Sequence, residues 1–173
     1  YQNLMKIVTH GYLEGFYYKP RVDLEILKKY NEGIICMSAC LKGSLPEALL
    51  YSGYDRGKAV AEEYSSIFPG RYYIELQNHG IPEEIQNIQL ASKLAKDMGL
   101  PTIATNDAHY ARKEHHVAHD VHICIGTGKQ LSDTKRLKYH GNEFYFKSQD
   151  EMFSLFKEFP EALENTRAIT DSI

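Results

Sequence analysis

PTIATNDAHYARKE, residues 101–114, is the stretch on which the reading of the fold turns. It opens as a short apolar run and passes directly into Asn106, Asp107 and His109. A carboxylate rarely closes a buried strand unless something pairs with it. Asp107 and His109 are two residues apart, so in extended backbone both side chains point to one side. Carboxylate oxygen and imidazole nitrogen are ordinary ligands for Zn²⁺ and Mn²⁺.

Working outward, two earlier runs look like strands of the same kind. GIICMSAC, residues 33–40, is continuously apolar and too short for a helix, as expected of a strand buried on both faces. RYYIELQNHG, residues 71–80, reads as a strand from about Tyr72 to Gln77. Residues 45–68 read as helix broken near Gly53. Pro82 suits a first helical turn, and the periodic run behind it continues to Gly99. The order strand, helix, strand, helix, strand predicts an α/β fold with a parallel sheet or a (β/α) barrel.

The flanks read as mostly helical. Apolar residues at 4, 5, 7, 8, 12 and 13 suit an amphipathic helix over 2–14. Asp23 is placed to cap a second helix, DLEILKKYNEG, and Gly33 sits where a left-handed residue is wanted. EHHVAHDVHICIG reads as a helix, and KRLKYHGNEFYFKS as two short strands about Gly141-Asn142. Ser148 and Glu151 make an S-x-x-E capping box for the helix that follows, and Pro160 ends that helix or starts the next.

A chain of 173 residues fits one domain with a real core, and 43% hydrophobic with 25% charged residues is ordinary for a globular protein. The net charge of −3 leaves no footprint for wholesale nucleic-acid binding, though it does not exclude a local site. The three cysteines, Cys36, Cys40 and Cys124, form no CxxC pair, which points away from a secreted disulfide framework and toward a reducing cytoplasm. No apolar run approaches the ~20 residues of a membrane span. The start at Tyr1 is that expected of a piece of a longer protein.

Ligands of α/β sheets and barrels bind beyond the carboxyl ends of the strands. The three predicted strands end in Ser38-Ala39-Cys40, Gln77-Asn78-His79 and Asn106-Asp107-Ala108-His109. Each delivers a metal-capable side chain to one rim. A lone Cys near a strand end is ordinarily a small buried hydrophobe, so the agreement of the three ends carries more than Cys40 or His79 alone. His115, His119 and His122 fall on one face of a helix, but the residue after His115 is His116, not the Glu that an HExxH metalloprotease needs. The plain reading is a polar helix face near the loop mouth. TKRLKYHGNEFYF mixes basic and aromatic residues that could touch a phosphate backbone, but the alternation from Arg136 to Tyr139 favours a plain surface hairpin. No GxGxxG, P-loop or nucleophile elbow is present.

The segments YQNLMKIV, EGFYYKPRVD, NEGIICMSACLKGSLP, YYIELQNHGIPEE, LPTIATNDAHY, AHDVHICIGTGKQLSD and FYFKSQDEMFSLF together span nearly the whole chain. In that order they resemble the PHP (polymerase and histidinol phosphatase) domain of the bacterial DNA polymerase III alpha family. The resemblance implies a distorted (β/α)7 barrel with a cluster of divalent metals (Zn²⁺, Mn²⁺ or Mg²⁺) at its C-terminal rim. It assigns Cys40, Asp107 and His109 as metal ligands, with His79 beside the site. The family's opening His-x-His motif is absent. Residues 1–173 are therefore expected to be a single-domain piece, the C-terminal two-thirds of a PHP domain lacking its first strands and holding a minority of the ligands.

The resemblance also implies a parent DNA-directed DNA polymerase, with the primer 3′ end and other replisome subunits as partners and no membrane. On this reading the domain contributes a metal-dependent phosphoesterase, or 3′→5′ proofreading exonuclease, site, and the isolated piece is inactive or metal-free. A non-catalytic platform of the polymerase and a stand-alone PHP phosphatase are the alternatives. The sheet edge left by missing strands is expected to promote self-association.

Overall fold

The structure, a computed structural model, describes residues 1–173. Its centre is a parallel sheet of three strands in the order β1-β2-β3, with β1 at Cys36–Met37, β2 at Tyr72–Leu76 and β3 at Thr102–Ala104. Cys36 lies opposite Tyr72, and Ile74 opposite Thr102. Helices α3 (Ser44–Tyr51) and α4 (Tyr54–Ile67) connect β1 to β2, and α5 (Pro82–Met98) connects β2 to β3. Helices α1 (Gln2–Leu13) and α2 (Leu24–Lys29) precede the sheet. Helices α6 (His116–Thr127), α7 (Gln149–Leu155) and α8 (Pro160–Asp171) follow it. No helix is long and apolar enough to cross a membrane.

Local chemistry explains most boundaries. Asp23 caps α2 by accepting the Ile26 N–H. Gly53, at φ +95°, separates α3 from α4. Pro82 opens α5, and Gly99 closes it in the left-handed region. Ser148 and Glu151 complete both halves of the capping box on α7, and Pro160 starts α8 rather than ending α7.

The alternation of β2 sorts its side chains onto two faces. Tyr72, Ile74 and Leu76 join a core with Leu45, Leu49, Val60, Ile88 and Leu94 from the helices. The alternate positions, Tyr73, Glu75 and Gln77, are left for the other face, where Glu75 is buried and engaged in hydrogen bonds.

The structure differs from the sequence expectation in four places. Helix α2 ends at Lys29 with Tyr30 as its C-cap, so the left-handed Gly33 lies in a turn beyond it and does not close it. The first and third strands are shorter than predicted: the ladder ends with the Ser38 and Thr105 N–H groups, which donate to Tyr73 O and Leu76 O, and the next N–H after β1, that of Ala39, goes to the Glu75 carboxylate instead. KRLKYHGNEFYFKS does not form a hairpin. Its end turns back to the segment after β3: Phe144 O accepts the His109 and Tyr110 N–H groups, and Phe146 N–H donates to Tyr110 O. Its beginning is clamped to α6 by Arg136, whose guanidinium grips both oxygens of Asp120 at 2.5 and 2.7 Å. These two anchors lie on different elements and pull the predicted strands apart. Finally, α1 forms as expected but buries only Ile7 and Gly11, while Leu4, Met5, Val8, Tyr12 and Leu13 stay exposed.

Candidate metal centre at the strand ends

The rim at the carboxyl ends of the strands is organised by one carboxylate. Glu75 Oε2 accepts the Ala39 N–H at 3.0 Å, and Oε1 accepts from Gln77 Nε2 at 3.0 Å and the Thr105 hydroxyl at 2.5 Å. The Glu75 N–H donates to Ser38 Oγ at 2.9 Å. One buried side chain thus ties together the ends of all three strands. Charge-assisted bonds of this kind are about twice as strong as neutral ones.

Cys40 is positioned through that network. Ala39 adopts φ +66°, a left-handed conformation that a residue with a Cβ seldom takes without support. Its N–H is the one held by Glu75. The chain then turns tightly, with the Gly43 N–H donating to Cys40 O at 2.7 Å. A Cβ on Gly43 would lie 2.3 Å from the Ser38 carbonyl oxygen, so the turn closes only on glycine. Cys40 emerges as a half-buried free thiol. Cys36, facing Glu75 from β1, is a different case: burial, then the Glu75 charge, push its thiol up to about 11, so it stays protonated.

Asp107 and His109 meet in the loop after β3, not in the extended backbone that the period-two spacing assumes. Asp107 Oδ2 and His109 Nε2 are 3.4 Å apart, with 40% and 30% of the side chains exposed. The His109 ring is boxed by Tyr139 at 4.6 Å, Phe144 at 5.5 Å and His119 at 5.7 Å between centroids. Tyr139 joins the two predicted ligand groups: burial first, then the charges of Asp107 and Cys40, raise its phenol above the usual value. His119 is held below the ordinary histidine value, first by burial and then by His109 and His122.

His79 sits apart from the Asp107–His109 pair. It is 2% exposed and fixed by Glu84, whose Oε2 accepts the His79 backbone N–H at 2.6 Å and whose Oε1 lies 2.9 Å from Nδ1. Its ring stacks flat on Phe144 at 4.4 Å, and its Nε2 has no hydrogen-bond partner. Phe144 therefore touches both His79 and His109. Of the three one-face histidines, His119 reaches the rim, whereas His115 and His122 are exposed. A groove of about 870 Å³ lies elsewhere, lined by Leu100, Pro101 and Thr102 at the amino end of β3 together with parts of α5 and the start of α8.

The donor types suit a divalent metal, but no three His, Cys, Asp or Glu side chains come together closely enough to hold one. The chain brings two donors into contact and a third to the same rim. By itself this is not a closed ligand set. Sequence reasoning missed Glu75, Glu84, Tyr139 and Phe144. Glu75 carried a signal, as the one charged residue inside YYIEL, and Glu84 another, as an acid in the first turn of a helix.

Residues 1–79 match the PHP domain family. The chain is 46% identical over 172 residues to a DNA polymerase III subunit alpha of Borreliella burgdorferi, covering 99% of this chain and 15% of that protein. It is 46% identical to the subunit of Treponema pallidum, over 96% of this chain and 14% of that one. Over nearly its whole length the chain is similar to DNA polymerase III alpha subunits, and its first 79 residues match the PHP domain. The subunit of Thermus aquaticus is 42% identical over 91% of the chain and 13% of its own length. The chain thus spans 13–15% of the length of these relatives.

Proposed function

We propose that residues 1–173 form part of the PHP domain of a bacterial, cytoplasmic replicative DNA polymerase, and that the rim contributes to a metal-dependent phosphoesterase site acting on a DNA 3′ end. The observation that carries this reading is the Asp107–His109 pair with Cys40 on one rim, at the carboxyl ends of parallel strands. Its incomplete ligand set fits a site whose other donors lie on further strands of a distorted (β/α)7 barrel, outside these residues. The uncovered apolar face of α1 agrees with a chain that packs against more protein. Here the chain's own part is to hold donors in place: Glu75 fixes the Cys40 turn, and Phe144 with Tyr139 fixes the His109 ring.

The test is metal-dependent 3′→5′ hydrolysis of single-stranded DNA by the full-length protein. Asp107→Asn combined with His109→Ala is expected to abolish it, with polymerisation retained. Unchanged hydrolysis would sink the reading.

A second reading is supported by the lack of any three-donor group: the domain is a non-catalytic platform for the polymerase and its replisome partners. Elemental analysis of the purified full-length protein separates the two. Absence of bound metal, with a melting temperature indifferent to chelator, favours the platform. A stand-alone phosphatase is disfavoured by the high identity over nearly the whole chain to polymerase subunits.

A further inference from the structure

Two sequence features remain outside that account, the histidine-rich start of α6 and the basic-aromatic run TKRLKYHG. The fold brings them together. Between α6 and residues 138–141 lies a cleft of about 230 Å³, lined in part by Tyr110, His116, His119, Asp120, Lys138 and Tyr139. Its charge is decided by one clamp. Arg136 occupies both oxygens of Asp120, leaving the nearby Lys138 exposed and without a salt bridge. The acid in the wall is neutralised, and an ammonium is left over for an anion.

The remaining wall is aromatic. The rings of Tyr110 and Tyr139 flank His119 at 5.2 and 5.1 Å. His116 Nδ1 lies 3.0 Å from the Lys113 carbonyl and so carries the proton in the neutral ring, leaving Nε2 as an acceptor. Flat π surfaces beside a lone cation are the elements that hold a single nucleotide, through base stacking and phosphate attraction. The volume has room for one base, with its sugar-phosphate reaching out to the exposed Lys138 at the edge, and excludes a base pair. Tyr139 lines this cleft and also packs edge-on against the His109 ring at 4.6 Å, so the cleft opens beside the rim.

We propose that this cleft binds one nucleoside monophosphate unit, its base against Tyr139 and Tyr110 and its phosphate at Lys138. The unit is either a free nucleotide or the last residue of a single strand. The inference deepens the proposed function, on which its biological sense rests, but its binding chemistry needs no metal.

The experiment is photocrosslinking to the full-length protein in chelator. One arm uses a short oligothymidylate ending in 3′-terminal 5-iododeoxyuridine, a second uses 5-iododeoxyuridine monophosphate, and a third uses the nucleoside without phosphate. Labelling mapped by mass spectrometry to Tyr139 or Tyr110 is expected with the phosphorylated probes. Lys138→Ala should lower the yield about tenfold, the scale of one charge-assisted contact, and Lys138→Arg should restore it. A stronger signal from the oligonucleotide identifies a strand end as the occupant, and an equal or stronger signal from the monophosphate identifies a free nucleotide. Labelling only elsewhere, equal labelling by the bare nucleoside, or indifference to Lys138→Ala would overturn the proposal. Because Lys138 is exposed, its replacement does not threaten folding. Failure of metal-dependent hydrolysis with intact crosslinking would refute the proposed activity alone, and the reverse outcome would refute the cleft alone.

Discussion

Glu75→Gln is the sharpest perturbation of the rim. The amide is nearly isosteric, so packing is kept and the hydrogen-bond pattern alone changes. With its oxygen on the Oε1 side, Gln retains the bonds from Gln77 and Thr105. Its NH₂ then faces the Ala39 N–H at 3.0 Å, donor against donor. One buried charge-assisted hydrogen bond is lost, a cost of about 1.5–3 kcal/mol. The left-handed Ala39 also loses its hold and is free to shift, which relieves about 1 kcal/mol of strain and offsets part of that cost. We expect a net loss of about 1–2 kcal/mol in urea unfolding. That corresponds to a fall of roughly 2–8 °C in Tm for a chain of this size. Because Ala39 precedes Cys40, the rate of Cys40 modification by a thiol reagent should rise, while the buried Cys124 stays slow. Stability within about 0.5 kcal/mol of wild type, together with an unchanged Cys40 rate, would refute the hub.

Gly43→Ala should cost about 1–3 kcal/mol, since its Cβ meets the Ser38 backbone oxygen at 2.3 Å. Gly57→Ala should cost less, because its Cβ meets the Leu49 side chain at 2.3 Å rather than backbone, and a gain in helix propensity of about 1 kcal/mol offsets part of the repacking of that core residue; paired urea melts check the order. Glu151 is held at about 2 rather than 4.5, first by the Tyr145 hydroxyl and then by Ser148. A lowered carboxylate contributes above its ordinary pKa and loses that contribution as pH falls through the folded value. The stability gap between wild type and Glu151→Gln should therefore shrink between pH 4.5 and 2, and a constant gap across that window would contradict the assignment. The isolated chain should self-associate through β1, whose Cys36 and Ser38 N–H groups are committed to β2 while its outer edge has no neighbour. The β3 side is partly covered by α8, where Asn165 donates to Thr102 O. Sedimentation that is monomeric at every concentration would count against this.

What could be read from the sequence was local. Asp23, Gly53, Pro82, Gly99 and the Ser148–Glu151 box act within a few residues, and each marks a boundary where expected. Strand period anticipates the Asp107–His109 contact, but β3 ends at Ala104 and the two residues meet in the loop beyond it, where the Ala108 N–H donates to Asn106 O and the His109 N–H to Phe144 O. What escaped depends on distant partners. Glu75 is decided by Ala39 and Thr105, which lie 36 and 30 residues away. The 136–146 segment had alternation suited to a hairpin, but Asp120 on α6 and the His109–Tyr110 backbone compete for it and prevail. Alternation records which side chains want burial and says nothing of which backbone supplies the partner. The helix α1 shows the same limit: its amphipathic pattern gave the helix but not a covering for its apolar face.

We propose that Asp107 and His109 are two donors of a metal site in a polymerase subunit. Bound metal per molecule, measured by elemental analysis of the full-length protein alongside its Asp107→Asn/His109→Ala variant, tests it most directly. The account predicts tightly bound divalent metal in the wild type, clear loss of it in the variant, and parallel loss of single-strand 3′→5′ hydrolysis. Equal metal content in the two proteins, or none in either, would contradict it.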